Sequence, residues 1–220
     1  MATKSQRRTD SLSSERIVGA AIEILDTEGE NALTFRALAA RLATGAGAIY
    51  WHVANKNELL AAAAEEVIGR AVTDVARSSE PRPAIRAIAL AVFDALDAHP
   101  WVGTQLTREP WQPAMVQLLE GFGGRLQALG VGERSQFNAA SALLSYVLGL
   151  AGQYAAAARL VPPDTDRTAF LGSVATRWEQ LDPAEHPFVR RVAAQLAEHD
   201  DREQFLAGID LILAGIETLR

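Results

Sequence analysis

The chain has 220 residues, 49% hydrophobic and 22% charged, a globular balance that excludes wholesale disorder and collagen-like repeats. Cysteine is absent, which removes disulfide scaffolds, thiolate zinc sites, iron–sulfur clusters and cysteine nucleophiles. The net charge of −6, from 21 basic and 27 acidic residues, argues against a uniformly basic nucleic-acid binder.

The average hides an uneven distribution. Residues 1–60 carry seven basic and seven acidic residues, so the whole acidic excess lies in residues 61–220. Only two basic residues are lysines, Lys4 and Lys56. After Lys4, Arg7 and Arg8 come serine, threonine and charge rather than an apolar signal core, so a cytoplasmic location is expected.

In chain order, residues 1–13 are polar and aperiodic and read as a flexible tail. Ser13 or Ser14 is placed to cap a first helix, on which Ile17, Ala20, Ala21, Ile24 and Leu25 repeat with a 3.6-residue period and which stops at Gly29. Thr34 caps a second helix with Phe35, Leu38, Ala39 and Leu42 on one face. Ala43-Thr44-Gly45 links it to a third through Tyr50 and Trp51, and Asn55 caps a fourth that carries Leu59, Leu60, Ala63, Ala64, Val67 and Ile68. Two short helices joined by a glycine-containing turn and braced on both sides form a helix-turn-helix pattern.

Beyond the polar, proline-bearing segment 78–83, helices are predicted near 84–98, 111–129, 133–160, 166–180 and 201–219. Pro100, Pro110, Pro113, Gly130-Val131-Gly132, Pro162-Pro163 and the Asp182–Pro187 segment read as their separators. β-Branched runs bounded by tight-turn residues are absent, so the expected class is all-α. The expected division is a tail at 1–13, a three-helix helix-turn-helix unit at 14–62, and a larger helical effector-binding and dimerisation unit at 63–220. Residues 135–158 carry no charge, but Gln136, Asn138, Ser141, Ser145 and Gln153 are too polar for a membrane span. A buried or interface helix is predicted there instead.

Three local features point to phosphate. Lys56 opens the fourth helix, where its charge opposes the helix dipole, and Arg36 repeats the anomaly on the second. A helix amino terminus with an added cation attracts anions. Tyr50, Trp51 and His52 add hydrogen-bonding and stacking side chains beside the third helix.

The string Leu33-Thr34-Phe35-Arg36-Ala37-Leu38-Ala39-Ala40-Arg41-Leu42, with Ala48-Ile49-Tyr50-Trp51-His52-Val53 and Asn55-Lys56-Asn57-Glu58-Leu59-Leu60, closely resembles the DNA-binding domain of the tetracycline-repressor (TetR) family over residues 14–62. The resemblance implies an all-helical homodimeric transcription regulator, typically a repressor, whose larger domain takes a small effector. It implies that Lys56 and Tyr50 hold phosphates, that Arg36 reaches a base, and that the helix from Gly45 to His52 enters the major groove. Double-stranded operator DNA would be read as a pseudo-palindrome. Trp51 and His52 complete the expected contact set. One departure is that the recognition helix begins Gly45-Ala46-Gly47-Ala48, without a long polar side chain. Direct readout would then rest on Arg36, Thr44 and Ala46 against a thymine methyl. Close backbone approach, DNA shape and Arg7 and Arg8 in a minor groove would supply the rest.

For the larger unit, Gly149, Gly152 and Ala156 would let a second helix approach, and Ile209 and Leu213 on the apolar last helix would complete a four-helix dimer bundle. Phe93, His99, Trp101, Trp111, Met115, Phe122, Tyr146, Tyr154 and Trp178 are the candidate effector contacts, suited to an apolar or aromatic small molecule. No metal-ligand spacing, cofactor motif or catalytic signature is present, so neither metal nor cofactor nor enzyme activity is expected. Two other readings fit the same chain: an effector-independent architectural DNA binder, and a helical enzyme or carrier.

Overall fold

In the computed structural model of the protein, which describes residues 12–75, 80–109, 111–160, 165–198 and 200–219, Ser13 sets the start of the first helix. Its hydroxyl accepts the Arg16 N–H at 3.3 Å, and α1 runs Ser14–Glu28. Gly29, at φ 79°, ends it in a left-handed conformation suited to glycine. Thr34 caps α2 (Phe35–Arg41) by accepting the Ala37 N–H at 3.1 Å. The turn to α3 (Ala46–Tyr50) is closed by the Thr44 N–H on the Ala39 carbonyl at 2.9 Å. Ala43 sits in this turn at φ 50°, a conformation that costs an alanine about 1 kcal/mol. At the start of α4 (Lys56–Val75), Asn55 Oδ1 accepts the Glu58 N–H at 3.0 Å, and Glu58 Oε2 accepts the Ala54 N–H at 2.8 Å. This reciprocal arrangement is a capping box displaced by one residue.

Among the described residues seven further helices follow: α5 (Pro81–Ala98), α6 (Pro100–Arg108), α7 (Pro113–Ala128), α8 (Glu133–Leu160), α9 (Arg167–Glu179), α10 (Pro187–Glu198) and α11 (Asp201–Glu217). Among the described residues there is no strand. Three helices begin where the sequence expectation put a separator. Pro100, Pro113 and Pro187 are the first residues of α6, α7 and α10. Proline at the first helical position loses an N–H that has no intrahelical partner anyway, and its fixed φ suits the helix. The polar surroundings of His186 thus lead into α10, while His199 lies outside the described residues.

Two hydrophobic cores form. Residues of α1–α3 and the first part of α4, from Ile17 to Ala63, make the first. Ala64, Val67 and Ile68 of the same helix enter the second, with Phe93, Leu118, Phe122, Leu143 and Ile209. The continuous α4 therefore belongs to both. The long uncharged run in α8 is two-faced: Ala139, Ala140, Leu143 and Val147 are buried, whereas Phe137 is 70% exposed. No helix among the described residues is long and apolar enough to cross a membrane.

The last helix docks by a close approach and a charge. Asp210, the single ionised side chain in its apolar run, meets Arg86 and Arg82 of α5, and Arg82 also pairs with Glu217 at 2.7 Å. Opposite Gly208 lies the Tyr146 ring, stacked on Phe205 with centroids 5.4 Å apart, its hydroxyl donating to the Phe205 carbonyl at 3.3 Å. Burial pushes the Tyr146 phenol above its usual pKa. A Cβ on residue 208 would overlap that ring and hydroxyl. Gly208→Ala is therefore expected to cost about 1–3 kcal/mol despite alanine's better helix propensity, measured as a lower urea midpoint. Unchanged or raised stability would mean that Tyr146 does not pack there.

The expectation that Ile209 and Leu213 line a dimer interface is corrected by this packing. Both are fully buried in the protomer's own core, because the i, i+4 face they share is the one turned to α5 and α8. The outward positions of α11 are Arg202, Glu203 and Gln204 in its first turn and, beyond it, Ala207, Leu211, Ala214 and Gly215. On α8 they include Phe137, Asn138, Ala142, Ser145, Gly149 and Gln153, while Gly152 is half-buried beside Thr107. Ala156 falls on α8, but its side chain lies outside the described residues, as does that of Tyr154.

Candidate nucleic-acid interface and effector region

The helix-turn-helix is held from behind by Leu38, Ala39 and Ile49, which are buried, and at its side by Phe35 and Tyr50. Those two rings stack nearly parallel, 3° apart with centroids at 4.4 Å, and Tyr50 remains 56% exposed. On the outer surface lie Arg36, Gly45, Gly47, Trp51 and His52, with Thr44 and Ala46 half-buried between them. Trp51 is 90% exposed. A bare indole beside an exposed arginine and a glycine-rich helix is a surface shaped for a partner. His52 Nδ1 lies 3.4 Å from Ser14 Oγ. Nothing lies within 4 Å of a Cβ placed on Gly45 or Gly47, so neither glycine is required by packing inside the protomer.

Lys56 is more constrained than its sequence position suggests. Its ammonium donates to the Glu30 carbonyl at 2.6 Å, fastening the α1–α2 loop to the start of α4. An ammonium has three donors, so the tie leaves capacity for an anion while fixing where the charge sits. Arg7 and Arg8 lie outside the described residues.

The larger unit grips this region through α6. The Glu30 carboxylate takes both Arg108 nitrogens, at 2.9 and 3.0 Å, which holds the guanidinium still more firmly protonated. Asp26 Oδ1 accepts the Trp101 indole N–H at 2.7 Å and meets His99 Nδ1 at 2.8 Å. His99 and Trp101, expected as effector contacts, are thus corrected to bracing residues between the units, and Trp101 packs against both cores. Asp26, Glu30 and Arg108 were not picked out in the sequence. Partners more than 70 positions away leave no local signal.

The remaining effector candidates do not gather into one pocket. Phe93, Met115 and Phe122 lie in the closed second core, where Phe93 meets Phe205 at 5.2 Å. Tyr146 is committed to α11, Trp178 is half-buried on α9, and Trp111 is 91% exposed at the α6–α7 junction. Aromatic character could not separate core from surface. Among the described residues the buried polar ones of this unit are two glutamines instead, Gln105 and Gln112, 3% and 2% exposed. Gln112 Nε2 donates to the carbonyls of Gln105 and Glu109, both at 2.9 Å, while its Oε1 is buried without a partner. An orphaned buried acceptor is costly unless something donates to it. Among the described residues no three His, Asp or Glu side chains converge as a metal site.

Comparison with known proteins adds two kinds of likeness. A family model described as bacterial regulatory proteins, tetR family, matches residues 17–63. A second, the tetracyclin repressor-like C-terminal domain, matches residues 82–220. The chain is 30% identical over 217 residues to tetracycline repressor protein class D of Escherichia coli, covering 94% of this chain and 90% of that protein. It is 32% identical over 147 residues to an HTH-type transcriptional regulator of Saccharopolyspora erythraea, a match that spans 62% of that relative's length. The solved structure of the transcriptional regulator SCO7222, a TetR from Streptomyces coelicolor, superposes with a TM-score of 0.86 at 54% identity, covering 95% of this chain and 99% of the other.

Proposed function

Because the chain belongs to the TetR family of bacterial regulatory proteins, we propose that it acts in the cytoplasm as a homodimeric repressor that binds a pseudo-palindromic operator and is released by a small apolar or aromatic effector. The observation that carries this reading is the outer face of α2 and α3, where Arg36, Tyr50 and Trp51 surround a helix whose glycines bring the backbone to the surface. Such a helix can approach base edges closely, with Thr44 and Ala46 at the groove floor. Lys56, Tyr50 and His52 take phosphates and set register.

The outward stripes of α8 and α11, small residues with Phe137 and Leu211 among them, supply the twofold interface. Gln112 is the polar anchor for an effector that carries a hydrogen-bond donor. An effector at the α6–α7 junction acts on α6, and α6 holds Asp26 and Glu30 of the DNA-binding unit. It shifts the operator-binding equilibrium by its differential affinity for the two arrangements. No residue is assigned a catalytic role.

Operator affinity measured across salt concentrations tests the phosphate assignment. Lys56→Ala is expected to weaken binding about tenfold and to lower the log–log salt slope by about one unit per bound chain. An unchanged slope would remove Lys56 from the interface and leave it with its structural tie to Glu30 alone.

A further inference from the structure

Glu30 offers two different acceptors to two different cations. Its backbone carbonyl, in the turn after Gly29, accepts the Leu33 N–H at 3.2 Å and the Lys56 ammonium at 2.6 Å. Its carboxylate is held by the larger unit, Oε1 and Oε2 each accepting one Arg108 nitrogen, at 2.9 and 3.0 Å. The Lys56 ammonium thus rests on the main chain of a residue whose own side chain carries the opposite charge. Those two acceptors are not equivalent. A carbonyl fixes the ammonium and leaves its charge to act on an anion, whereas a carboxylate cancels that charge. A glutamate side chain is long enough to swing back over its own carbonyl, and the Arg108 fork is what engages both of its oxygens here. Both partners are partly exposed, so the pair matters less for stability than for which cation the carboxylate serves. The other carboxylates of this side of the DNA-binding unit are taken in the same way. Arg41 holds Glu23 and Glu28, at 3.3 and 2.9 Å, and Trp101 with His99 holds Asp26.

We propose that Arg108 is a positioning residue for DNA binding: by holding both oxygens of the Glu30 carboxylate, it keeps that carboxylate off the Lys56 ammonium and leaves the ammonium to a DNA phosphate. Arg108 has this role only if Lys56 takes a phosphate, as proposed above. Without Arg108 the carboxylate turns back onto the ammonium, and Lys56 meets DNA as one half of an ion pair that a phosphate must first break. Arg108 belongs to α6 and Glu30 to the α1–α2 loop, so the charge that Lys56 offers depends on where α6 sits against the DNA-binding unit.

Anisotropy titrations of the full-length dimer test this, using one duplex that the parent protein selects from a random-sequence pool, across sodium chloride concentrations. Arg108→Gln is expected to weaken binding about fivefold and to lower the log–log salt slope by up to about one unit per bound chain. Adding Glu30→Gln should restore affinity to within about twofold of the parent and the slope with it, because no carboxylate is left to take the ammonium. That recovery also shows that the chain is folded. Placed on Lys56→Ala, Arg108→Gln should cost less than about twofold, since the charge it protects is gone. A merely structural contact, or a loss of bulk positive charge, would instead add in full to Lys56→Ala, and a structural loss would not be repaired by Glu30→Gln. The proposal is overturned by a parental salt slope in Arg108→Gln, by failure of Glu30→Gln to restore it, or by additive losses from Arg108→Gln and Lys56→Ala. Lys56→Ala alone separates the two levels. If it leaves the slope unchanged, the phosphate role is wrong and the role of Arg108 falls with it; if it lowers the slope while Arg108→Gln does not, only the role of Arg108 is wrong.

Discussion

Gly47→Glu is expected to abolish operator binding, by at least about 100-fold, while making the protein slightly more stable. Gly47 is exposed in α3, and a side chain there meets nothing within 4 Å inside the protomer. Glycine within a helix is about 0.5–1 kcal/mol worse than an ordinary helix former, so the fold gains by the exchange. For a chain of this size such a gain raises Tm by roughly 2–4 °C per kcal/mol. On DNA the same carboxylate would stand among phosphates and the acceptors of base edges, and misplaced like charge at an interface costs several kcal/mol. Gly47→Ala is the control, with the stability gain but no added charge. Fluorescence anisotropy with operator DNA and thermal unfolding separate the two effects. If the glutamate variant bound within tenfold of the parent, α3 would not be the helix in the groove.

Phe122→Ala should cost about 3–5 kcal/mol of stability, the range for a large aromatic truncated in a packed interior. The ring is 0% exposed in the second core, where its loss leaves a void and removes contacts that a rigid neighbourhood does not restore. The experiment also decides between two roles the sequence left open for this residue. A ring lining an open effector cavity would be cheap to remove and would cost effector response. A ring in closed packing costs stability first. Trp111→Ala is the contrast: at 91% exposed, its loss should change stability by less than about 0.5 kcal/mol. A denaturant midpoint that barely moves for Phe122→Ala would mean that the second core is open at this point.

Local signals in the chain carried the DNA-binding unit far. The Thr34 and Asn55 caps and the spacing of Ile17, Ala21, Ile24 and Leu25 each act within four residues, so their consequences are legible without any tertiary contact. Prolines misled at three places because one residue type both ends and begins helices, and the neighbours of Pro100, Pro113 and Pro187 do not say which.

The amino-acid sequence by itself determined that the protein is helical, where its helix-turn-helix lies, and which side chains stand near the expected DNA face. Only the tertiary structure decided which face of α11 is buried, so that Ile209 and Leu213 turn inward while Leu211 is left outside. It alone tied Lys56 to the Glu30 carbonyl, joined His99 and Trp101 to Asp26, and left the Gln112 oxygen without a donor. The reason is range. Caps and periodicity are interactions between residues a turn apart, whereas the choice among several apolar faces, and the partner of a charge, is made by helices that meet only when distant segments of the chain pack together.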